Sequence, residues 1–343
     1  MKILVAGYFS AFWHEEAWVR ALREIGHKVF EFRMAPYFNG TLIGRAQNRL
    51  LIGPSIEKLN NDFLITVQQC KPDLVVCYRA LPLKPNTIQR LKQNDDYILV
   101  SYNNDNIFGP LKHKSYWRYF RKAIPYYDLN IVFRDTDIPR YREHSAKRLC
   151  LLFHHYLPWL HRPMTVNLAD DGKSDICFLG HCEPDRRLNE LDKLMKNVPC
   201  NYKLHGALWD KYGTDRAWKN MDTHAVQGEE YVKYLCGAKI ALAFFSSWNE
   251  DNYTTRVFEI PACGTFMLSQ RTEIMQGLYE EDKEVVYFDT AEELVDKARF
   301  YLSNEPTRLR IAAAGHQRCM RSGYDIHSRM REWLSAVERL KTG

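Results

Sequence analysis

The sequence contains no run of about 18 apolar residues, so no segment reads as a transmembrane helix. The apolar start at Lys2 to Ala6 is too short for a signal peptide, and the expected location is the cytoplasm, with the inner face of a membrane as the alternative. The nine cysteines include no CxxC pair and lie mostly in apolar runs such as "DLVVCY" and "DICFLG". That pattern weighs against a zinc site and fits reduced, buried thiols. No GxGxxG follows the first strand, where "GYFSAFW" stands instead, which weighs against a nicotinamide dehydrogenase. A DxD motif in a metal-binding context, internal repeats and low-complexity segments are also missing.

What is present is ordinary in amount. The 343 residues, 45% apolar and 26% charged, are enough for two domains, each with its own core. The formal charge of +6 comes from 48 basic and 42 acidic residues. So mild an excess is compatible with a phosphate-bearing ligand, a membrane surface, a nucleic acid or no charged partner at all.

The strand pattern "MKILVAG" is followed by a helical stretch from His14 to Ile25, closed by Gly26, and then by "HKVFEF". Strand–helix–strand openings build parallel sheets covered by helices on both faces. Further strands are expected at 73–78, 97–102 and 129–133, with helices at 55–70 and 84–93. A second series runs through "SDICFLG", "YKLHG", "KIALAFF", "TFMLS" and "EVVYFD", with helices near 228–237, 256–263 and 291–303. The expected organisation is an α/β protein of two doubly wound, Rossmann-like domains facing a cleft, at 1–160 and 174–325. A linker at 161–173 would join them. An amphipathic helix at 326–343, with Met330, Trp333, Leu334 and Val337 on one side, would return to the first domain.

Ligands of such sheets bind beyond the carboxyl ends of the strands. There the sequence places "SSWNEDNYTTRVFEIPACG". Thr254 or Thr255 suits an N-cap, and a helix start offers free N–H groups to phosphate. Arg256 adds a planar permanent cation fitted to pyrophosphate oxygens. Glu259, one turn on, could accept two hydrogen bonds from a ribose diol. The structural alternative is an Arg256–Glu259 ion pair at helical spacing.

The segment "TTRVFEIPACGTFML", preceded by "KIALAFFSSWNEDN" and followed by "TEIMQGLYEEDKEVVYFDTAEEL", resembles the donor domain of the CgeB-like glycosyltransferases, which have the GT-B fold. The likeness extends through "DICFLGHCEPDRRLNEL" and covers roughly 174–330. It implies that Glu259 grips the ribose hydroxyls, and that Arg256 and one of Arg186 and Arg187 grip the diphosphate. Gly180 and Gly206 would let the backbone approach the donor. The family's first carboxylate of an E-x7-E pair corresponds to Asp251, one methylene shorter. The likeness implies a nucleotide-diphosphate sugar, UDP-linked by expectation, as co-substrate, with no metal or other cofactor.

In the first domain, Asp105 follows the strand "YILVSYN" in a turn closed by Gly109 and Pro110. It reads as a turn residue or, by resemblance to this family and to the phage DNA β-glucosyltransferases, as the base of an inverting transfer. His14 is the second candidate base, or else a helix-start residue. The aromatic and basic interleaving at 113–127 fits base stacking, a lipid surface, or a helix with one buried aromatic face. The expected acceptors are a glycan, a lipid-linked saccharide, a small molecule or a hydroxymethylated base in DNA. A non-catalytic binding protein of the same fold is the alternative from another class.

Overall fold

The structure, a computed structural model, describes residues 1–38, 40–93, 97–109, 115–167, 172–212 and 216–342. The chain divides into two compact units, Met1–Phe153 with Ile326–Gly343, and His154–Asp325. Of the expected linker, 161–167 and 172–173 fall within the second unit, while 168–171 lie outside the described residues.

The first unit holds β1 (Lys2–Gly7), β2 (Lys28–Arg33), β3 (Leu74–Tyr78), β4 (Ile98–Asn103), β5 (Leu129–Val132) and β6 (Leu149–Leu151). They form one parallel sheet in the order β2-β1-β3-β4-β5-β6. The register pairs Val5 with Val76 and Val76 with Val100, a valine row across three strands. All five residues of β3 are buried, as a strand covered on both faces requires. Pro54 and Pro85 each open a crossover helix, Pro54–Cys70 and Pro85–Lys92, where a missing N–H costs nothing. The terminal helix Ile326–Thr342 belongs to this unit. Its Trp333 stacks on Trp18 with ring centroids 5.6 Å apart, and Met330, Leu334 and Val337 are buried beside it.

The second unit holds β7 (Ser174–Leu179), β8 (Tyr202–His205), β9 (Ala238–Ala243), β10 (Met267–Gln270) and β11 (Val286–Phe288), parallel in the order β11-β10-β9-β7-β8. The helices Arg186–Asn197, Gly228–Gly237, Arg256–Ala262, Ala291–Ser303 and Glu305–Arg321 complete it with shorter turns. Phe178 meets Phe244 edge-on at 5.0 Å, at the centre of its core.

Each sheet therefore has one point where the order reverses, between β1 and β3 in the first and between β7 and β9 in the second. Loops leaving adjacent strands there diverge to opposite faces and open a crevice beyond their carboxyl ends.

Several elements lie outside those expected from the sequence, among them the 17-residue helix Glu305–Arg321, the edge strand β6 and the helix Leu42–Leu50. The edge strand β6 is three half-buried residues, and the helix Leu42–Leu50 turns its large apolar residues outward. In the aromatic and basic stretch, Trp117 and Phe120 are buried while Lys122 is exposed. That is the arrangement of a helix packing one aromatic face, with 113 and 114 outside the described residues. All nine cysteines are free. Among the described residues no helix is long and apolar enough to cross a membrane, and no group of three or more His, Cys, Asp or Glu could hold a metal ion.

Candidate active site

The reversal point of the second sheet is occupied by Arg256. The helix Arg256–Ala262 buries Val257, Phe258, Ile260 and Ala262, which leaves its first residue facing the strand ends. The guanidinium donates from Nη2 to the carbonyl of Phe244 at 3.0 Å. It lies over the Phe178 ring, 5.6 Å from the centroid. A Cβ on Gly180 would meet its Nη1 at 3.2 Å. Its Nε is buried with no partner, and no carboxylate comes within ion-pair distance among the described residues. Burial, together with the like charge of Arg187, pulls its pKa below the ordinary arginine value. Two residues earlier, the buried hydroxyl of Thr254 is also without a partner. Thr255 occupies the N-cap position, but its side chain makes no capping hydrogen bond.

Glu259 is not the partner of Arg256. Its Oε2 accepts from the Tyr231 hydroxyl at 2.6 Å, and its Oε1 lies 3.9 Å from His161 Nε2. Burial and the Glu259 charge hold the Tyr231 phenol far above its usual pKa, so it stays a donor. The Leu157 N–H donates to His161 Nδ1 at 3.0 Å, which puts the ring proton of the neutral imidazole on Nε2, towards Glu259. The carboxylate, its side chain 14% exposed, thus keeps free acceptor capacity for hydroxyl groups.

The other expected donor-side residues have distinct placements. Arg187 is 2% exposed and spent on its own chain. It donates to both Asp185 oxygens, to Glu183 Oε2 and to the carbonyls of His181 and Phe245. It braces the loop after β7 and presents no face to a ligand. Arg186 is the exposed member of the pair, donating to Glu190 and to the Asp289 carbonyl at 2.7 Å each. Asp251 lies in the loop after β9, its N–H donating to the Ser246 carbonyl at 2.9 Å. Gly206 has φ +151°, and a Cβ there would lie 2.1 Å from the Gly180 carbonyl oxygen. Only glycine lets these two strand-end loops touch. A cavity of about 410 Å³ lies at the opposite, amino-terminal edge of this sheet, lined by Lys173, Asp175 and Lys239 among others. None of Arg256, Glu259 or Gly180 lines it.

At the reversal point of the first sheet, Asp105 pairs with a residue the sequence reading passed over. Arg79 Nη2 lies 2.5 Å from Asp105 Oδ2, both side chains about 30% exposed. Arg79 follows β3 directly and sits at φ +45°, a conformation that costs a non-glycine residue about 1 kcal/mol or more. Its Nε is buried without a partner, as are Asn103 Oδ1 and Asn104 Oδ1 at the end of β4. Orphaned polar atoms gathered beside a strained residue mark a place built to hold something else. Pro110, expected to close the Asp105 turn, lies outside the described residues.

His14 stands across the reversal point from Arg79, its Nδ1 3.3 Å from the Tyr78 hydroxyl. Glu15 is buried and accepts from the Tyr8 N–H at 3.0 Å. Burial, with Arg79 adding to it, pushes the His14 imidazole down to about 4. The folded state therefore resists its protonation: this penalty is absent above pH 6.5 and grows as pH falls towards 4. Over that window wild type should lose on the order of 2 kcal/mol more stability than His14→Gln. Urea unfolding of both proteins across the range checks this, and parallel pH profiles would contradict it.

A protein-family model described as "Glycosyl transferase-like" matches residues 186–335. No curated protein sequence matches the chain. Among solved structures, it is similar to sucrose-phosphate synthase from Thermosynechococcus elongatus, with TM-score 0.71 and 12% identity, covering 100% of this chain and 99% of that one. It is also similar to Alr3699/HepE from Anabaena, solved with UDP and glucose, with TM-score 0.66 and 11% identity over 99% and 100%. AviGT4, a glycosyltransferase involved in avilamycin A biosynthesis, gives TM-score 0.59 and 14% identity over 99% and 98%. At these identities the likeness is one of fold. The chain has the GT-B architecture, two parallel α/β sheets with their helices.

Proposed function

We propose that the protein is a glycosyltransferase that moves a sugar from a nucleoside-diphosphate donor, UDP being the favoured carrier, to an acceptor hydroxyl. The observation that carries this reading is Arg256, whose guanidinium has a buried Nε without a partner and no paired carboxylate. Burying a guanidinium without a paired carboxylate is unfavourable, and a diphosphate would supply a paired charge and an acceptor for Nε. Glu259, fixed by Tyr231, offers its free oxygen to the ribose hydroxyls. The uridine carrier is supported by the shared fold of HepE, which was solved with UDP-glucose.

In the proposed reaction the bond between the sugar's anomeric carbon and the β-phosphate oxygen breaks, and UDP leaves with the electron pair. The acceptor oxygen bonds to that carbon and its proton passes to a base. Asp105 is the proposed base of an inverting transfer, with Arg79 fixing its orientation, and His14 is the second candidate. Arg256 is assigned the charge on the leaving diphosphate, with no metal invoked. A glycan, a lipid-linked saccharide or a small hydroxylated molecule fits the acceptor role.

The test is a panel of UDP-, GDP- and ADP-sugars, followed by thermal shift and by nucleotide release. A UDP-sugar should stabilise the wild type and be turned over. Glu259→Gln should weaken its binding about tenfold or more, as loss of a charge-assisted hydrogen bond does. A folded Glu259→Gln protein that binds every nucleotide as tightly as wild type would remove the ribose assignment.

A further inference from the structure

The helix Leu42–Leu50 is inverted relative to an ordinary surface helix. Successive residues turn by about 100°, so Leu42, Ile43, Ala46 and Leu50 share one face while Gly44 and Asn48 share the opposite one. The small, polar face is the one that packs inward. Gly44 is buried, and a Cβ there would lie 2.3 Å from the Phe38 carbonyl oxygen. Asn48 Oδ1 accepts from the Tyr8 hydroxyl at 2.6 Å. The apolar face points out: Leu42 is 78% exposed, Ile43 72% and Leu50 54%, with Ile52 at 54% just past the helix. Of ten exposed large hydrophobic side chains among the described residues, four therefore fall within 42–52. Scattered surface exposure does not concentrate in this way.

The charges on the helix itself have one sign. Arg45 and Arg49 are exposed along one edge. Arg118 donates to the carbonyls of Leu50 and Leu51 at the helix end. Residues 41–53 include no acidic side chain.

We propose that this face docks on the surface of an anionic phospholipid bilayer. Leu42, Ile43, Leu50 and Ile52 enter the upper acyl region, and Arg45, Arg49 and Arg118 meet lipid phosphates. A short helix with an apolar face edged by arginines lies in the plane of such an interface. Arginine stems run beside the apolar residues while their heads stay at the phosphate level. A second copy of the chain is a poor occupant, because it would bring the same arginines and no matching carboxylates. The face is also tied to the first unit's candidate site, through Asn48 to Tyr8 and from the Tyr8 N–H to Glu15, the neighbour of His14. Docking there holds that loop at the membrane, where an acceptor with a lipid tail would present its hydroxyl. The docking itself does not depend on the donor assignment.

Flotation of the full chain with vesicles of phosphatidylcholine, with and without about one third phosphatidylglycerol, tests the proposal. Wild type should float with the anionic vesicles, less so as salt rises, and only weakly with neutral ones. The triple variant Leu42→Ser, Ile43→Ser, Leu50→Ser and the double variant Arg45→Glu, Arg49→Glu should each bind about tenfold more weakly or worse. Because these side chains are exposed, circular dichroism and melting temperature should match wild type, which separates lost docking from lost folding. No binding to anionic vesicles, or binding unchanged in the serine variant, overturns the proposal. So does a concentration-dependent dimer that the serine substitutions abolish in a protein that ignores vesicles. None of these results bears on nucleotide binding.

Discussion

Replacing Arg256 with methionine is expected to cut sugar transfer about 10²–10³-fold, the scale seen when a preorganised donor to a developing anion is removed. The free protein should be as stable as wild type to within about 1 kcal/mol, or slightly more stable. The two effects separate because the guanidinium contributes little to the unliganded fold. Among the described residues its one hydrogen bond is to the Phe244 carbonyl, it lies over the Phe178 ring, and its Nε has no partner. Methionine fills similar space against Phe178 and relieves the desolvation of the cation, which offsets the lost hydrogen bond. Functional residues that strain the free protein commonly behave in this way. Chemical denaturation and steady-state kinetics on the same preparations check it. A loss of more than about 3 kcal/mol of stability would mark Arg256 as a structural cation instead.

Asp105→Asn is expected to lower turnover about 10²–10⁴-fold with donor affinity nearly unchanged, the signature of a lost general base. The substitution keeps the side chain's shape. The ion pair it removes, with Arg79, stands between an exposed pair, worth about 0–1 kcal/mol, and a buried one, whose breaking costs about 3–5 kcal/mol. Urea unfolding of the same variant separates that stability cost from the loss of turnover. Comparison of kcat with nucleotide Kd for Asp105→Asn and His14→Gln decides between the two candidates. If His14→Gln shows the large kcat effect and Asp105→Asn does not, the proton goes to the imidazole.

The two-sheet architecture was legible because its strands are continuous apolar runs broken by glycine and polar loops. "LVVCY" is buried at all five positions, and Gly26, just beyond the helix Glu15–Glu24, has φ +93°. The placement of Arg256 and Glu259 at a strand-end helix was legible for the same local reason. What each touches was not. Tyr231 is 28 residues from Glu259, and only the fold brings it, from the helix Gly228–Gly237, and His161, from the turn before β7, to that carboxylate. Arg79 carries no local signal at all, since an arginine after a strand is common. It reaches Asp105 because β3 and β4 are adjacent and because its backbone turns to positive φ. Arg186 and Arg187 are indistinguishable in sequence, yet one is exposed and the other buried in a knot of acceptors. The helix Leu42–Leu50 defeated the pattern for another reason. Periodicity finds an apolar face but does not say whether that face looks inward.

The proposed role of Arg256 is to recognise the second phosphate of a nucleoside diphosphate. It is tested most directly by calorimetric titration of wild type and Arg256→Met with UDP and with UMP. Wild type should prefer UDP by about tenfold or more, the worth of one charge-assisted contact, and Arg256→Met should bind the two nucleotides alike. A preference for UDP that survives intact in Arg256→Met would mean that another group holds that phosphate.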